Sequence, residues 1–443
     1  MRGQRALRCA GLTLVESVVA AFLFAVLLLA ALALWDSATR IHKSEIEIAD
    51  AQRSVRYGLH QMARVVRSAG AGGLSVAQAV PVRPDPGLPG ASVPPDGDYD
   101  NVVGGTITDL AGKDVPVRAG TDILEVRGVF DSPLLALDSA SGCGSCTGPG
   151  DLTARSVTAS GHVNDEPPRR AWFSEIDSYT AGASDRNPMF VLVAGNDDLR
   201  PACSDGTAGL APRPPQPSYR VGLLTAPARL AAAQTFGSVD FSDPLARELS
   251  TEDPLDAPPP SDAAARELRR VGILDDVLFF IDDTDPLHPA LARAVRRGRR
   301  FDVVSLAEDV EDLQVAYGVD GLYGSDGVVP DGALGRLVAA SENDPDPEVS
   351  TRAGGDEWAP NVAGERLFAT GDFRSPARCP TLRAVQITLV ARSRDPDPTF
   401  RGRGASGLHA MNSPGSARGS GAFRYRRRAE TVTIGLRNFG SAG

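Results

Sequence analysis

The sequence predicts an α+β protein: one long N-terminal helix, apolar in its first half and amphipathic in its second, followed by a β-rich head with long loop insertions. Three observations carry this reading. Residues 18–35 are eighteen consecutive apolar residues, and no proline falls within residues 36–68, where apolar side chains return every seventh position. Beyond Pro81, short runs of Val, Ile, Leu and aromatic residues alternate with stretches rich in Pro, Gly and Asp. A chain of 443 residues, 42% of them hydrophobic, has ample material for a core without metals or staples. Its 46 basic residues stand against 56 acidic ones, a formal charge of −10, and only Lys43 and Lys113 are lysines. No nucleic acid is expected as a partner on that balance.

The apolar run reads as a membrane span. As a helix its eighteen residues rise ~27 Å, close to the hydrocarbon thickness of a bilayer. The residues that follow it, Trp35-Asp36-Ser37, make a poor cleavage site for a removable secretory signal. Arg2, Arg5 and Arg8 precede the span without an acid among them, so the positive-inside rule keeps the N-terminus in the cytoplasm and exports the head. Glu16 is the anomaly. It lies among Leu12, Leu14, Val15, Val18 and Val19, and an acid at mid-helix in lipid costs roughly 2.5–3.5 kcal/mol, less near the interface. It is either a glutamate that reaches headgroup water or an acid with a function.

The helix is expected to continue past the span. Ile41, Ile48, Val55 and Met62, with Leu59 and Val66 beside them, form one apolar stripe between Arg40, Lys43, Glu45, Glu47, Asp50, Arg53, Arg56 and Arg64. Charges do not flank the stripe regularly, which favours a sheet packed on it over a coiled coil. Residues 12–68 would rise ~85 Å if unbroken, with Gly58 as the weakest point and Gly70, Gly72 and Gly73 as the stop.

In the head, strands are expected at residues 121–129, 189–194, 277–281, 302–306, 313–317, 382–391 and 430–436. Short helices are expected at 262–270 and 290–297. Loop-like insertions are read at 81–101, 201–217, 251–262, 341–361 and 395–421. The stretch from about Pro81 to Val271 receives no further assignment.

The string Ala10-Gly11-Leu12-Thr13-Leu14-Val15-Glu16-Ser17 resembles the class III signal of type IV pilins and pseudopilins. The resemblance implies cleavage by a prepilin peptidase after Gly11 and methylation of the new amino terminus at Leu12. It also implies a charge pair between Glu16 and the amino group of a neighbouring subunit, which agrees with the need of a buried carboxylate for a cation. Leu12 departs from the phenylalanine commonest there. Loss of the leader, with its three arginines, takes the formal charge to −13. The run Val310-Glu311-Asp312-Leu313-Gln314-Val315-Ala316-Tyr317-Gly318-Val319-Asp320 resembles a segment of PilW-like minor pilins. So do Leu382-Arg383-Ala384-Val385-Gln386-Ile387-Thr388-Leu389 and Thr431-Val432-Thr433-Ile434-Gly435-Leu436. The resemblance implies an antiparallel sheet packed on a spine helix, divided as leader 1–11, spine 12–70 and head 71–443.

Four cysteines lie outside the leader, Cys143, Cys146, Cys203 and Cys379, with Cys9 inside it. An even number in an oxidising compartment points to disulfides, with all three pairings open; no second Cys-x-x-Cys or His pair supports zinc. Asp320, Asp326 and Asp331 lie where relatives carry a calcium-like turn, yet they offer few ligands, and a Gly-rich hairpin is favoured. His42, His60, His162, His288 and His409 are scattered, the Gly402–Gly407 match to GxGxxG opens no helix, and the Asp282-Asp283 pair is one of many acid pairs. No cofactor and no active site is implied. The resemblance therefore implies a minor pilin that primes type IV pilus assembly at the filament tip. Its partners would be other minor pilins, the major pilin, the prepilin peptidase, the inner-membrane assembly platform and membrane lipid. A type II secretion pseudopilin and a pilin-stem adhesin, with a binding module in the insertions, are the alternatives.

Overall fold

A computed structural model describes residues 13–71, 91–92, 105–130, 135–136, 153–154, 190–195, 219–226, 238–240, 268–297, 300–320, 358–360, 381–396 and 425–436. The architecture is α+β. One helix, α1 (Leu14–Arg67), precedes β1 (Ala91–Ser92), β2 (Gly105–Thr108), β3 (Asp114–Val117), β4 (Leu124–Gly128), β5 (Leu135–Ala136), β6 (Thr153–Ala154), β7 (Phe190–Gly195), β8 (Tyr219–Ala226) and β9 (Ser238–Asp240). There follow β10 (Leu268–Ile273), β11 (Asp275–Asp282), β12 (Ala290–Arg297), β13 (Arg300–Glu308), β14 (Val310–Asp320), β15 (Trp358–Pro360), β16 (Thr381–Arg392) and β17 (Arg427–Gly435). The chain divides into two compact units, Met1–Asp50 and Ala51–Gly443.

The described part of the first unit is helix from Leu14 onward. Its first half is built from Leu, Ala, Val and Phe without proline, and ion pairs one turn apart, Arg40–Asp36 at 2.8 Å and Lys43–Glu47 at 3.7 Å, support the polar half.

In the second unit three sheets are antiparallel throughout. The first runs β1-β2-β3-β11-β12-β13, with β4 also paired to β11; the second runs β5-β10-β7-β8-β9-β6; the third runs β15-β14-β16-β17. Strand β11 is the pivot of the first sheet, because both its faces are covered and its run Val277-Leu278-Phe279-Phe280-Ile281 is apolar on both. Val277, Phe279 and Ile281 face one core, and Leu278 and Phe280 face another with Ile107, Val115, Val117, Ala292, Ala294 and Phe301. Around that second core the sheet curls back on itself: Phe301 of β13 bridges to Asp109 beyond β2, and Arg300 Nη1 donates to the Leu110 carbonyl at 3.0 Å.

The first core is the stripe of α1. Val55, Leu59, Met62 and Val66 are buried with Leu124 and Val126 of β4, Leu291 of β12, Leu313 and Val315 of β14, Val385, Ile387 and Leu389 of β16 and Ile434 of β17. Each large side chain so removed from water contributes about 1.5–3 kcal/mol. Gly58, the expected weak point, is a point of close approach: a Cβ there would stand 2.6 Å from Leu291 Cδ2 and 3.1 Å from Leu389 Cδ1. The helix tolerates its glycine because the sheet occupies the space.

Two local devices join the sheets. Asp309, the residue between β13 and β14, takes φ 57°, a left-handed turn that aspartate accepts more readily than most residues, and sends the chain from the first sheet into the third. Asp122 acts as a substitute strand partner for β14: its N–H donates to the Leu313 carbonyl at 2.9 Å, and its carboxylate accepts the Val315 N–H at 2.7 Å.

The helix ends as its composition dictates. Arg64 and Arg67 stand in the last turn, and Gly70 at φ 72° turns the chain out. The Gly70 N–H then donates to the Arg127 carbonyl at 3.0 Å, and the Val129 N–H to the Ala71 carbonyl at 2.9 Å, so β4 clamps the exit.

All seven expected strands are present, several longer than expected. The short helix expected at 290–297 fails, and of the one expected at 262–270 only the end is described. Residues 290–297 are the strand β12, despite a composition of Ala, Leu and Arg that favours helix, because β11 and β13 pair it on both sides and tertiary pairing outweighs propensity. Residues 268–270 of the other expected helix open β10, and the rest of it lies outside the described residues. Strands β1 and β15 occupy positions read as loop.

The close approach at Gly58 predicts that Gly58→Val destabilises the head by about 1–3 kcal/mol through overpacking. Thermal denaturation of the detergent-solubilised chain measures this, and Leu291→Ala, harmful alone, is expected to recover part of the loss in the double variant.

Candidate functional site

The described N-terminus begins with a reciprocal cap. Thr13 donates to Glu16 Oε2 from both its backbone N–H and its hydroxyl, each at 2.9 Å, while the Glu16 N–H donates to Thr13 Oγ1 at 3.3 Å. The Ser17 N–H donates to the Thr13 carbonyl at 3.1 Å and closes the first turn. This is a capping box, Thr-x-x-Glu, in which two otherwise orphaned amide groups are satisfied. Glu16 therefore has a local structural role in addition to any partner, and the negative charge sits at the positive end of the helix dipole. The spacing Thr13-Leu-Val-Glu16 carried this signal in the sequence.

Beyond the cap, α1 is long and apolar enough to cross a membrane, and none of the other described residues covers its most apolar stretch. Leu14, Phe22, Phe24, Leu27, Leu29, Leu34 and Trp35 are all exposed. Trp35 closes the apolar run, as an interfacial aromatic would, and Asp36 and Arg40 begin the polar stretch.

Gly11 and Leu12, Cys143, Cys146, Cys203 and Cys379, and Asp326 and Asp331 lie outside the described residues. Asp320 is the last residue of β14. The Asp282-Asp283 pair does structural work: Asp282 Oδ1 accepts the Thr284 N–H at 2.8 Å, and Asp283 pairs with Arg118 at 2.7 Å. His288 Nδ1 lies 2.9 Å from Asp309 Oδ1. Among the described residues no group of three or more His, Cys, Asp or Glu is arranged to hold a metal.

Two buried ionic groups went unread in the sequence. Glu311 of β14 is held by Arg427 of β17, which donates to both its oxygens, with Arg392 of β16 3.9 Å away. Arg392 also donates to the Pro286 and Leu287 carbonyls and lies over the Tyr425 ring at 4.2 Å, tying the β11–β12 turn to the third sheet. The second group joins Glu125 and Arg127 of β4, Asp276 of β11 and Arg296 of β12. Their partners lie up to about 170 residues apart in the chain, so no local spacing announces them.

The capping box predicts that Thr13→Ala frays the first turn. Amide exchange of residues 14–17 should quicken in detergent, while the amides of Val55 and Met62 stay as they are.

A family model described as type IV pilus-assembly protein W, PilW, matches residues 278–438, from within β11 to just beyond β17, and does not extend to α1. No curated protein and no solved structure matches.

Proposed function

We propose, from the premise that this is a PilW-like type IV pilus protein, that it serves as a minor pilin, a structural rather than catalytic subunit that primes the filament at its tip. One observation carries the reading: the matched residues include β12, β14, β16 and β17, which with β4 bury the apolar stripe of α1. The same helix carries the exposed apolar segment, so the matched sheet grips a helix suited to a membrane or a filament core.

In this reading the leader is cut after Gly11, and Leu12 becomes the methylated N-terminus. The chain first sits in the inner membrane as a single span, N-terminus cytoplasmic and head periplasmic, and then moves with its partners into the filament. Other minor pilins and the major pilin supply helices that cover Leu14 to Trp35. Glu16 pairs with the amino group of a neighbour, because a carboxylate carried into an apolar bundle needs a cation. The head, through its described sheets, sets which neighbours fit.

The second sheet favours an additional role. Strands β5 to β10 form a complete six-stranded sheet within residues 135–273, ahead of the matched segment. A pilin stem that carries such a sheet is suited to surface recognition, and deletion of the sheet with normal piliation but lost adhesion would support that role.

The intact mass and N-terminal peptide of the protein from membranes, with and without a coexpressed prepilin peptidase, test the primary reading. The expected product begins at N-methylated Leu12 and retains the apolar segment. An intact Met1, or cleavage beyond Trp35, would overturn it. Given correct processing, Glu16→Ala is expected to leave membrane insertion and head stability intact and to deplete the protein strongly from sheared filaments, measured by immunoblot.

A further inference from the structure

The ionic group on β4, β11 and β12 differs from the one around Glu311 in its number of carboxylates. Glu311 is a single carboxylate approached by two arginines. Here two carboxylates meet in one buried site. Asp276 stands directly opposite Arg127 in the β4–β11 register, with Glu125 on the same face of β4 two residues away. Arg127 donates to Glu125 Oε1 from Nε at 3.0 Å and from Nη2 at 2.6 Å. Arg296 donates from Nε to Asp276 Oδ2 and lies 4.5 Å over the ring of Phe301 on β13.

Asp276 Oδ1 is the atom left over. It is buried, and no nitrogen donates a hydrogen bond to it, for Arg127 Nε approaches only to 3.7 Å. Glu125 and Asp276 converge on one side chain: Arg127 donates to Glu125 Oε1, and its Nε stands 3.7 Å from Asp276 Oδ1. Two carboxylates cannot bond to one another while both are ionised, but a single proton between them satisfies the buried oxygen. We propose that Glu125 and Asp276 share one proton across the β4–β11 seam, and that this proton makes the hold of the head on the end of α1 respond to the acidity of the surrounding medium.

The electrostatics agree with the geometry. Burial is the largest influence on Glu125 and, with Asp276 beside it, pushes its carboxyl up to about 7 against the pull of Arg127 and Arg296. Burial acts in the same sense on Asp276, but Arg296, Arg127 and the hydrogen bond from Glu125 outweigh it and hold this acid below its usual range. Glu125 therefore carries the proton and Asp276 accepts it. Arg127, Asp276 and Arg296 are the charged groups that face Glu125 from β4, β11 and β12, and β13 contributes the uncharged Phe301.

The sign follows. A carboxyl raised from 4.5 to about 7 by folding contributes its full stability below about 4.5, and that stability is lost as pH rises through about 7. The depressed Asp276 works the other way and loses its contribution only as pH falls below its ordinary range. Between these limits the shared proton governs the seam.

The consequence reaches α1 through Arg127. Its side chain belongs to the buried group, while its carbonyl accepts the Gly70 N–H at the helix exit. Gly128, the next residue, has no room for a side chain: a Cβ would stand 2.5 Å from Phe130 Cε1 and 3.2 Å from the Ser68 carbonyl oxygen. A change in the ionic group thus bears on a clamp with little slack.

Hydrogen exchange on the full-length detergent-solubilised chain tests this at the Gly70 and Val129 amides. Protection, corrected for intrinsic exchange, is expected to fall more than about tenfold from pH 5.5 to pH 8 in the wild type and to be nearly level in Glu125→Gln, which keeps the acceptor for Arg127 but cannot lose a proton. Protection independent of pH in the wild type, or an unchanged dependence in Glu125→Gln, would overturn the proposal. Should Glu125→Gln not fold, carboxyl carbon NMR of labelled wild-type protein decides. A neutral buried carboxyl at pH 6 that is gone by pH 8.5 supports the shared proton, and ionised carboxylates throughout exclude it.

Discussion

The head depends on one contact surface, the stripe of Val55, Leu59, Met62 and Val66 pressed onto strands from two different sheets. Neither sheet closes its core without it. Leu124, Val126 and Leu291 belong to the first sheet, and Leu313, Val385 and Leu389 to the third, yet all share the helix as a common cover. Gly58 shows how close that cover lies. A glycine in mid-helix costs up to about 1 kcal/mol against alanine, and the position keeps it because Leu291 and Leu389 fill the volume a side chain would need. Helix propensity yields to packing at the one residue where the two conflict.

Beside this apolar surface two groups of opposite charges are buried. An isolated ion in such an interior is costly, and a paired one breaks even at best, so each group must have satisfied hydrogen bonds to be tolerated. Glu311 meets the requirement with two guanidinium groups, and one of them, Arg392, also fastens the β11–β12 turn. Glu125 and Asp276 meet it with two guanidinium groups and one proton. The proton of the second group exchanges with solvent near neutrality.

What the sequence revealed followed from local repetition. The apolar run, the seven-residue stripe and the β-branched runs each lie within one element, and α1 and all seven expected strands are present. Residues 290–297 failed because Ala, Leu and Arg carry no strand signal by themselves; only the pairing of β12 on both sides makes them a strand. Of the six-stranded second sheet only β7 was expected, and two- and three-residue strands such as β5, β6 and β9 are too short for any period. At the candidate site, Glu16 stood out as an acid among apolar residues, but its bond to Thr13 was readable too. The buried ionic groups were not, because each draws on strands far apart in the chain.

The cap at Thr13 bears on how an acid at position 16 serves an apolar helix. None of the other described residues covers the side chains of residues 14–35, a face suited to lipid or neighbouring helices, and neither of these offers water to the first-turn amides. Thr13 and Glu16 answer that need between themselves. Both bonds from Thr13 fall on Oε2, which leaves Oε1 outside the cap. An ionised carboxylate accepts about four hydrogen bonds, so the cap uses only half of its capacity. Local capping and recruitment of a cation from a neighbouring chain are therefore compatible on one side chain. The cap fixes the carboxylate in place beforehand, and a second chain that brings an amino group to Oε1 meets an acceptor whose freedom has already been spent.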